Sequence, residues 1–173
     1  MPQLAPRLAF TYDDYLEWEQ RQPERHEYVR GEVFAMAGTT DRHNEISGNC
    51  YTLLRQHLRG TPCRVYIADV KARVEAADCG FYPDIQVTCA ESDRADRLVK
   101  RSPTLVVEVL SDSTASYDVG DKFAAYQQLD SLREYVLVDQ DRVRVLIYRW
   151  RDGQWGVDNI GPGGRLRLDS VDL

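Results

Sequence analysis

The sequence predicts an α/β fold: a mixed sheet flanked by helices, with further antiparallel strands added toward its end. Three observations carry this. Apolar residues recur at helical spacing across 41–58, alternate with polar ones across 63–89, and a strand, a helix and a second strand follow one another between 104 and 139. That last succession is a βαβ unit, whose strands run parallel and are joined by a right-handed crossover.

Thr11 followed by Asp14 reads as a capping box opening a short helix, TYDDYLEWEQRQ, which Pro23 ends. HEYVRGEVFAMAG reads as two short strands around Arg30-Gly31. A longer helix starts with Thr40 or Asp41 as its cap, sets Ile46, Cys50, Leu53, Leu54 and Leu58 along its apolar positions, and ends at Gly60, with Gly48 as its weak point. CRVYIAD, VKARVEA and FYPDIQVTC then read as three strands in a row, which suggests a meander, and ESDRADRLVKRS as an exposed, charged loop. The strand of 104–110 follows, then a polar turn, SDSTASYDVG, the helix DKFAAYQQLDS and the strand EYVLVD. RVRVLIYRW, QWGVDN and RLRLDSV complete a terminal antiparallel set, separated by Asp152-Gly153 and by Gly161-Pro162-Gly163-Gly164.

A chain of 173 residues, 43% hydrophobic and 29% charged, is long enough and apolar enough to read as one globular domain over 1–173. No apolar stretch approaches the roughly 18 residues of a membrane span, and the amino terminus lacks the apolar core of a signal peptide. A cytoplasmic protein without a membrane partner is therefore expected. The net charge of −6 argues against a surface that attracts nucleic acid everywhere, though not against a local basic patch. Cys50, Cys63, Cys79 and Cys89 form no CxxC pair, and reduced thiols packing as small apolar residues are expected. The basic residues are nineteen arginines and three lysines, Lys71, Lys100 and Lys122. Only a lysine can have its pKa moved far enough to act on a reacting proton, so each lysine is a candidate.

Glu108 stands inside an apolar run, Leu105-Val106-Val107 before it and Val109-Leu110 after, where a strand buried on both faces should hold no carboxylate. Asp84 opens the preceding strand. Antiparallel pairing of 89 with 104 sets Asp84 opposite 109, next to Glu108, with the carboxylates roughly 5 to 8 Å apart. Such a pair repels itself unless a hard cation joins it. Lys122 follows fourteen residues after Glu108, where the first turns of the crossover helix lie above the strand's carboxyl end, and Tyr126 shares its helix face at i+4. Two carboxylates, a metal and a lysine make a set suited to phosphodiester hydrolysis. The competing reading is a buried salt bridge from Glu108 to Lys122 or an arginine, with no chemistry.

The ordered segments YPD to Asp84, VVEVLS around Glu108 and DKFAAY around Lys122, preceded by HEYVRGEVFAMAG and DRHNEISGN, resemble the Uma family of putative restriction endonucleases, in the PD-(D/E)xK nuclease superfamily. The resemblance runs over about residues 10–150. It implies a restriction-endonuclease-like α/β fold, DNA as substrate, and Mg²⁺ or Mn²⁺ held by Asp84 and Glu108, with the backbone carbonyl of Val109 completing the site. The superfamily's usual lysine would fall at Leu110; the family is thought to move that role to the next helix, which implies Lys122. Glu32 and His43 lie in matching segments as supporting residues, against plainer readings as a solvated hairpin glutamate and a capping histidine. Asp69 and Lys71 could pair across a strand edge, and Ser111, Ser113 and Thr114 could touch phosphate from their turn. Cutting both strands needs two sites, which leaves room for a homodimer through the terminal strands. The alternative is a catalytically silent nuclease-fold protein that binds nucleic acid or regulates.

Overall fold

The computed structural model describes residues 10–111 and 114–173. Local chemistry sets its first elements. The Thr11 hydroxyl accepts from the Asp14 amide and the Asp14 carboxylate from the Thr11 amide, closing the capping box of α1 (Tyr12–Glu19). Arg30 and Gly31 both take positive φ, 50° and 89°, as a tight turn between twisted strands requires, and this joins β1 (His26–Val29) to β2 (Glu32–Ala35). Thr40 caps α2 (Asp41–His57) by accepting the His43 amide at 3.1 Å.

The expected run of three strands is divided between two sheets and is not a meander. β3 (Arg64–Ile67) does not pair with β4 (Lys71–Val74), and FYPDIQVTC is split into β5 (Cys79–Phe81) and β6 (Ile85–Thr88). The break falls at Tyr82-Pro83-Asp84, where a proline cannot donate to a ladder and the chain passes from one sheet to the other. The charged stretch after it is not a plain exposed loop. It forms α3 (Ser92–Ala95) and β7 (Val99–Lys100), with Asp93 buried and bonded to the Thr88 hydroxyl and to the amides of Arg101 and Ser102.

β8 (Pro103–Leu110) and β9 (Glu134–Asp139) pair in parallel as the expected βαβ unit, but its helix α5 (Asp121–Tyr126) is shorter than expected, and part of the expected polar turn forms a second short helix, α4 (Ala115–Val119). β10 (Val145–Arg151) and β11 (Gln154–Ile160) close the chain's strands. RLRLDSV is not a strand; instead Leu166, Leu168 and Val171 pack into the core beneath α2. The sheets run β2-β1-β5-β4-β7 and β11-β10-β9-β8-β6-β3, each with one parallel pair, so both are mixed. On β8, Val106 faces the core under α5, while Leu105 and Val107 face the core under α2. Glu108 therefore shares the α5 side with Val106.

Two further expectations are corrected. Val87 pairs with Leu105 and Ile85 with Val107, one residue away from the expected register, with a bulge between Val87 and Thr88. Cys63 and Cys89 are not reduced but joined in a disulfide. Arg64 pairs with Thr88, so the next residues outward on β3 and β6 face each other across the ladder, a relation invisible in their separation of 26 residues.

Candidate active site

Five elements, β1, α2, β8, α4 and α5, together with the link from β5 to β6, bring charge to one place. The chain leaves β5 with free amides, and side chains from neighbouring strands take them: Tyr82 N donates to Glu27 Oε1 at 3.3 Å and Asp84 N to Glu108 Oε2 at 3.2 Å. Asp84 returns the contact, its Oδ2 accepting from Val109 N at 2.7 Å. Continuing the register beyond Ile85–Val107 sets Asp84 level with Glu108, so both carboxylates stand on one face. Lys122 Nζ lies 2.9 Å from Glu108 Oε1, 3.0 Å from Glu27 Oε1 and 3.6 Å from Asp118 Oδ1. Lys122 is thus the cation that faces the buried Oε1 of Glu108. His43 Nε2 lies 3.1 Å from Asp84 Oδ2.

The electrostatics follow from burial. Glu108 is only 3% exposed, and that burial pushes its carboxyl well above the usual carboxylate range; Lys122 opposes the shift, while Asp84, Asp118 and Glu27 add to it. Burial alone would lower the pKa of Lys122, yet Glu108, Glu27 and Asp118 outweigh it and hold the lysine well above its ordinary pKa. The hydrogen bond to Asp84 raises His43 against its burial, helped by the Val109 backbone. Burial also raises Asp118, with Lys122 pulling the other way.

Of the residues singled out in the sequence, Asp84, Glu108, Val109, Lys122 and His43 line one cleft of about 1040 Å³, together with Ser111 and Thr114. Ser113 lies outside the described residues. Tyr126 is buried behind Lys122, its ring 5.1 Å from that of Phe81 and 5.4 Å from that of Tyr135. Glu32 pairs with Val29 near the hairpin's turn, is exposed and does not line the cleft. The carboxylate this hairpin supplies is Glu27. Asp69 pairs with Arg25 rather than with Lys71, whose ammonium sits 4.8 Å from the centre of the Tyr82 ring. Sequence reasoning passed over Glu27 and Asp118. Asp118 carried a signal, lying four residues before Lys122 as an ion-pair partner on a helix does. Glu27 carried only its place in a short strand.

The donor set suits a hard cation. Four acidic side chains, Glu27, Asp84, Glu108 and Asp118, face Lys122 and His43, so oxygen donors outnumber the basic groups beside them. Among the described residues no three His, Cys, Asp or Glu side chains form a ready cage. Mg²⁺ does not need one, because it keeps several waters and binds through one or two carboxylates.

The model of the Uma2 family, described as "Putative restriction endonuclease", matches residues 12–171. The chain belongs to the Uma2 family. This Uma2 chain is 38% identical over 170 residues to "Uncharacterized protein slr1290" of Synechocystis sp., covering 98% of the chain and 90% of that relative. It is 31% identical over 155 residues to "Uncharacterized protein sll1609" of the same organism, covering 88% of each. The crystal structure of a putative nuclease belonging to DUF820 from Anabaena variabilis superposes on the Uma2 chain with a TM-score of 0.75 at 18% identity, over 94% of this chain and 90% of that one. The shared fold is the restriction-endonuclease-like one expected from the sequence. No helix among the described residues is long and apolar enough to cross a membrane.

Proposed function

We propose that this Uma2 protein is a Mg²⁺- or Mn²⁺-dependent endonuclease that hydrolyses DNA phosphodiester bonds, with Asp84, Glu108 and the Val109 carbonyl holding the metal. The observation that carries this reading is the meeting of Asp84 and Glu108 on one face of the β6–β8 pair, beside Lys122 and at the floor of a cleft. Bound there, the metal would polarise a phosphate oxygen and acidify a water. Lys122 has a narrower role than proton abstraction: held charged by three carboxylates, it donates hydrogen bonds, orients the attacking water and offsets charge developing on the phosphate. His43 fixes the Asp84 carboxylate through Oδ2, and that contact raises the pKa of its imidazole. Glu27 and Asp118 hold Lys122 in place from the strand and the helix on either side.

The expected result is DNA cleavage with Mg²⁺ or Mn²⁺ that disappears in Asp84→Ala and in Glu108→Ala. Cleavage surviving either change would overturn the assignment. A specific observation favours the silent alternative, namely that Glu108 faces Lys122 and Asp84 faces His43. Calorimetric titration with Mn²⁺ separates the two: saturable binding lost in Asp84→Ala supports the nuclease, and no heat at all supports a non-catalytic module.

A further inference from the structure

We infer that the cleft takes an unpaired stretch of DNA, with Phe34 as the surface on which a base stacks. The inference rests on the nuclease reading for taking nucleic acid as the ligand; the choice of single strand over duplex comes from the walls of the cleft. Phe34 lies directly opposite Glu27 in the antiparallel β1–β2 pair, so the two side chains share a face. Glu27 contacts Lys122, which places the Phe34 ring one strand out from the acidic cluster. β2 is the edge of its sheet, and Phe34 is 52% exposed there while lining the cleft. Met36 continues that wall, and Tyr117 lines the cleft as well.

The charges argue against a duplex. Among the basic residues that line the cleft, Lys122 and His43 already face carboxylates, and Arg30, exposed at the β1–β2 turn, is the one without an ion pair among the described residues. Duplex binding driven by phosphate contacts commonly draws on roughly six to ten of them. A lining with one available cation and exposed aromatic surface matches the other mode, in which bases stack on aromatic rings and a positive group tracks the backbone. Arg30 meets a phosphate while the neighbouring base lies on Phe34. A base inside a duplex is stacked between its neighbours and offers no free face for that contact.

Fluorescence anisotropy tests this with a labelled 15-mer oligodeoxynucleotide, its duplex, and RNA of the same sequence, each in Ca²⁺. The single strand should bind more tightly than the duplex. Phe34→Ala should weaken single-strand binding roughly 5- to 100-fold, and Phe34→Tyr should restore it. An unchanged urea midpoint for Phe34→Ala would confirm that the loss is one of binding and not of folding. Duplex bound as well as single strand, indifference to Phe34→Ala, or no binding of any form would overturn the inference, and equal binding of the RNA would overturn its commitment to DNA. The two readings fail separately. Duplex cleavage in Mg²⁺ that ignores Phe34→Ala sinks the inference and leaves the nuclease; Phe34-dependent single-strand binding with no cleavage does the reverse.

Discussion

Glu108 is tolerated in a buried strand because it has work on both oxygens: one accepts the Asp84 amide and the other faces Lys122. The lysines follow the same logic. All three are buried, each against groups that favour a cation, while many of the arginines sit in exposed ion pairs. Lys100 donates to the carbonyls of Asp93 and Asp96 and lies 4.8 Å from the Tyr66 ring centre. Lys71 is the least compensated, and burial lowers its pKa, with Glu19 only partly opposing. A depressed folded pKa gives stability that is present above the unfolded value of about 10.4 and lost as pH falls through the folded value. The wild type should therefore gain stability relative to Lys71→Met as pH rises toward about 10.4. Urea denaturation of both proteins at a series of pH values checks this, and a constant difference would contradict it.

At the scale of elements, α1 meets the first sheet at a point with no spare room. A Cβ added to Gly80 of β5 would stand 2.4 Å from Cε2 of Tyr12. The ring cannot retreat easily, because the Arg73 guanidinium lies 3.9 Å from its centre and is itself tied to Asp78. Gly80→Ala should cost about 1–3 kcal/mol by overpacking. Gly48 in α2 is the contrast, with nothing within 4 Å of an added Cβ, and Gly48→Ala should add about 0.5–1 kcal/mol. Thermal or urea unfolding of the two variants should move in opposite directions. α2 was legible from its Thr40 cap and its apolar spacing, whereas the tightness at Gly80 depends on an aromatic ring 68 positions earlier in the chain. The Cys63–Cys89 link belongs to the same class, since only the β3–β6 ladder brings the two together.

For the whole molecule, Lys122 is a junction. It joins Glu27 of the first sheet, Glu108 of the second and Asp118 of α4, all with side chains less than about one-eighth exposed. Removing it leaves several carboxylates buried without their cation, so Lys122→Met should cost about 3–5 kcal/mol. Urea denaturation measures this; a loss below about 1 kcal/mol would show that the cluster relaxes or takes up water instead. Most helices, the β1–β2 hairpin and the βαβ unit were readable from the sequence alone, because caps, turn residues and apolar periodicity act over a few neighbouring positions. So was Glu108, as a carboxylate out of place in an apolar run, with Asp84 and Lys122 brought toward it by the order of strands and by the crossover unit. Sheet membership, the one-residue register, the disulfide, and the arrival of Glu27 and Asp118 at Lys122 were decided only in the tertiary structure. Each depends on pairing between distant segments, where a shift of one residue turns a side chain to the opposite face and no local pattern records which face it takes.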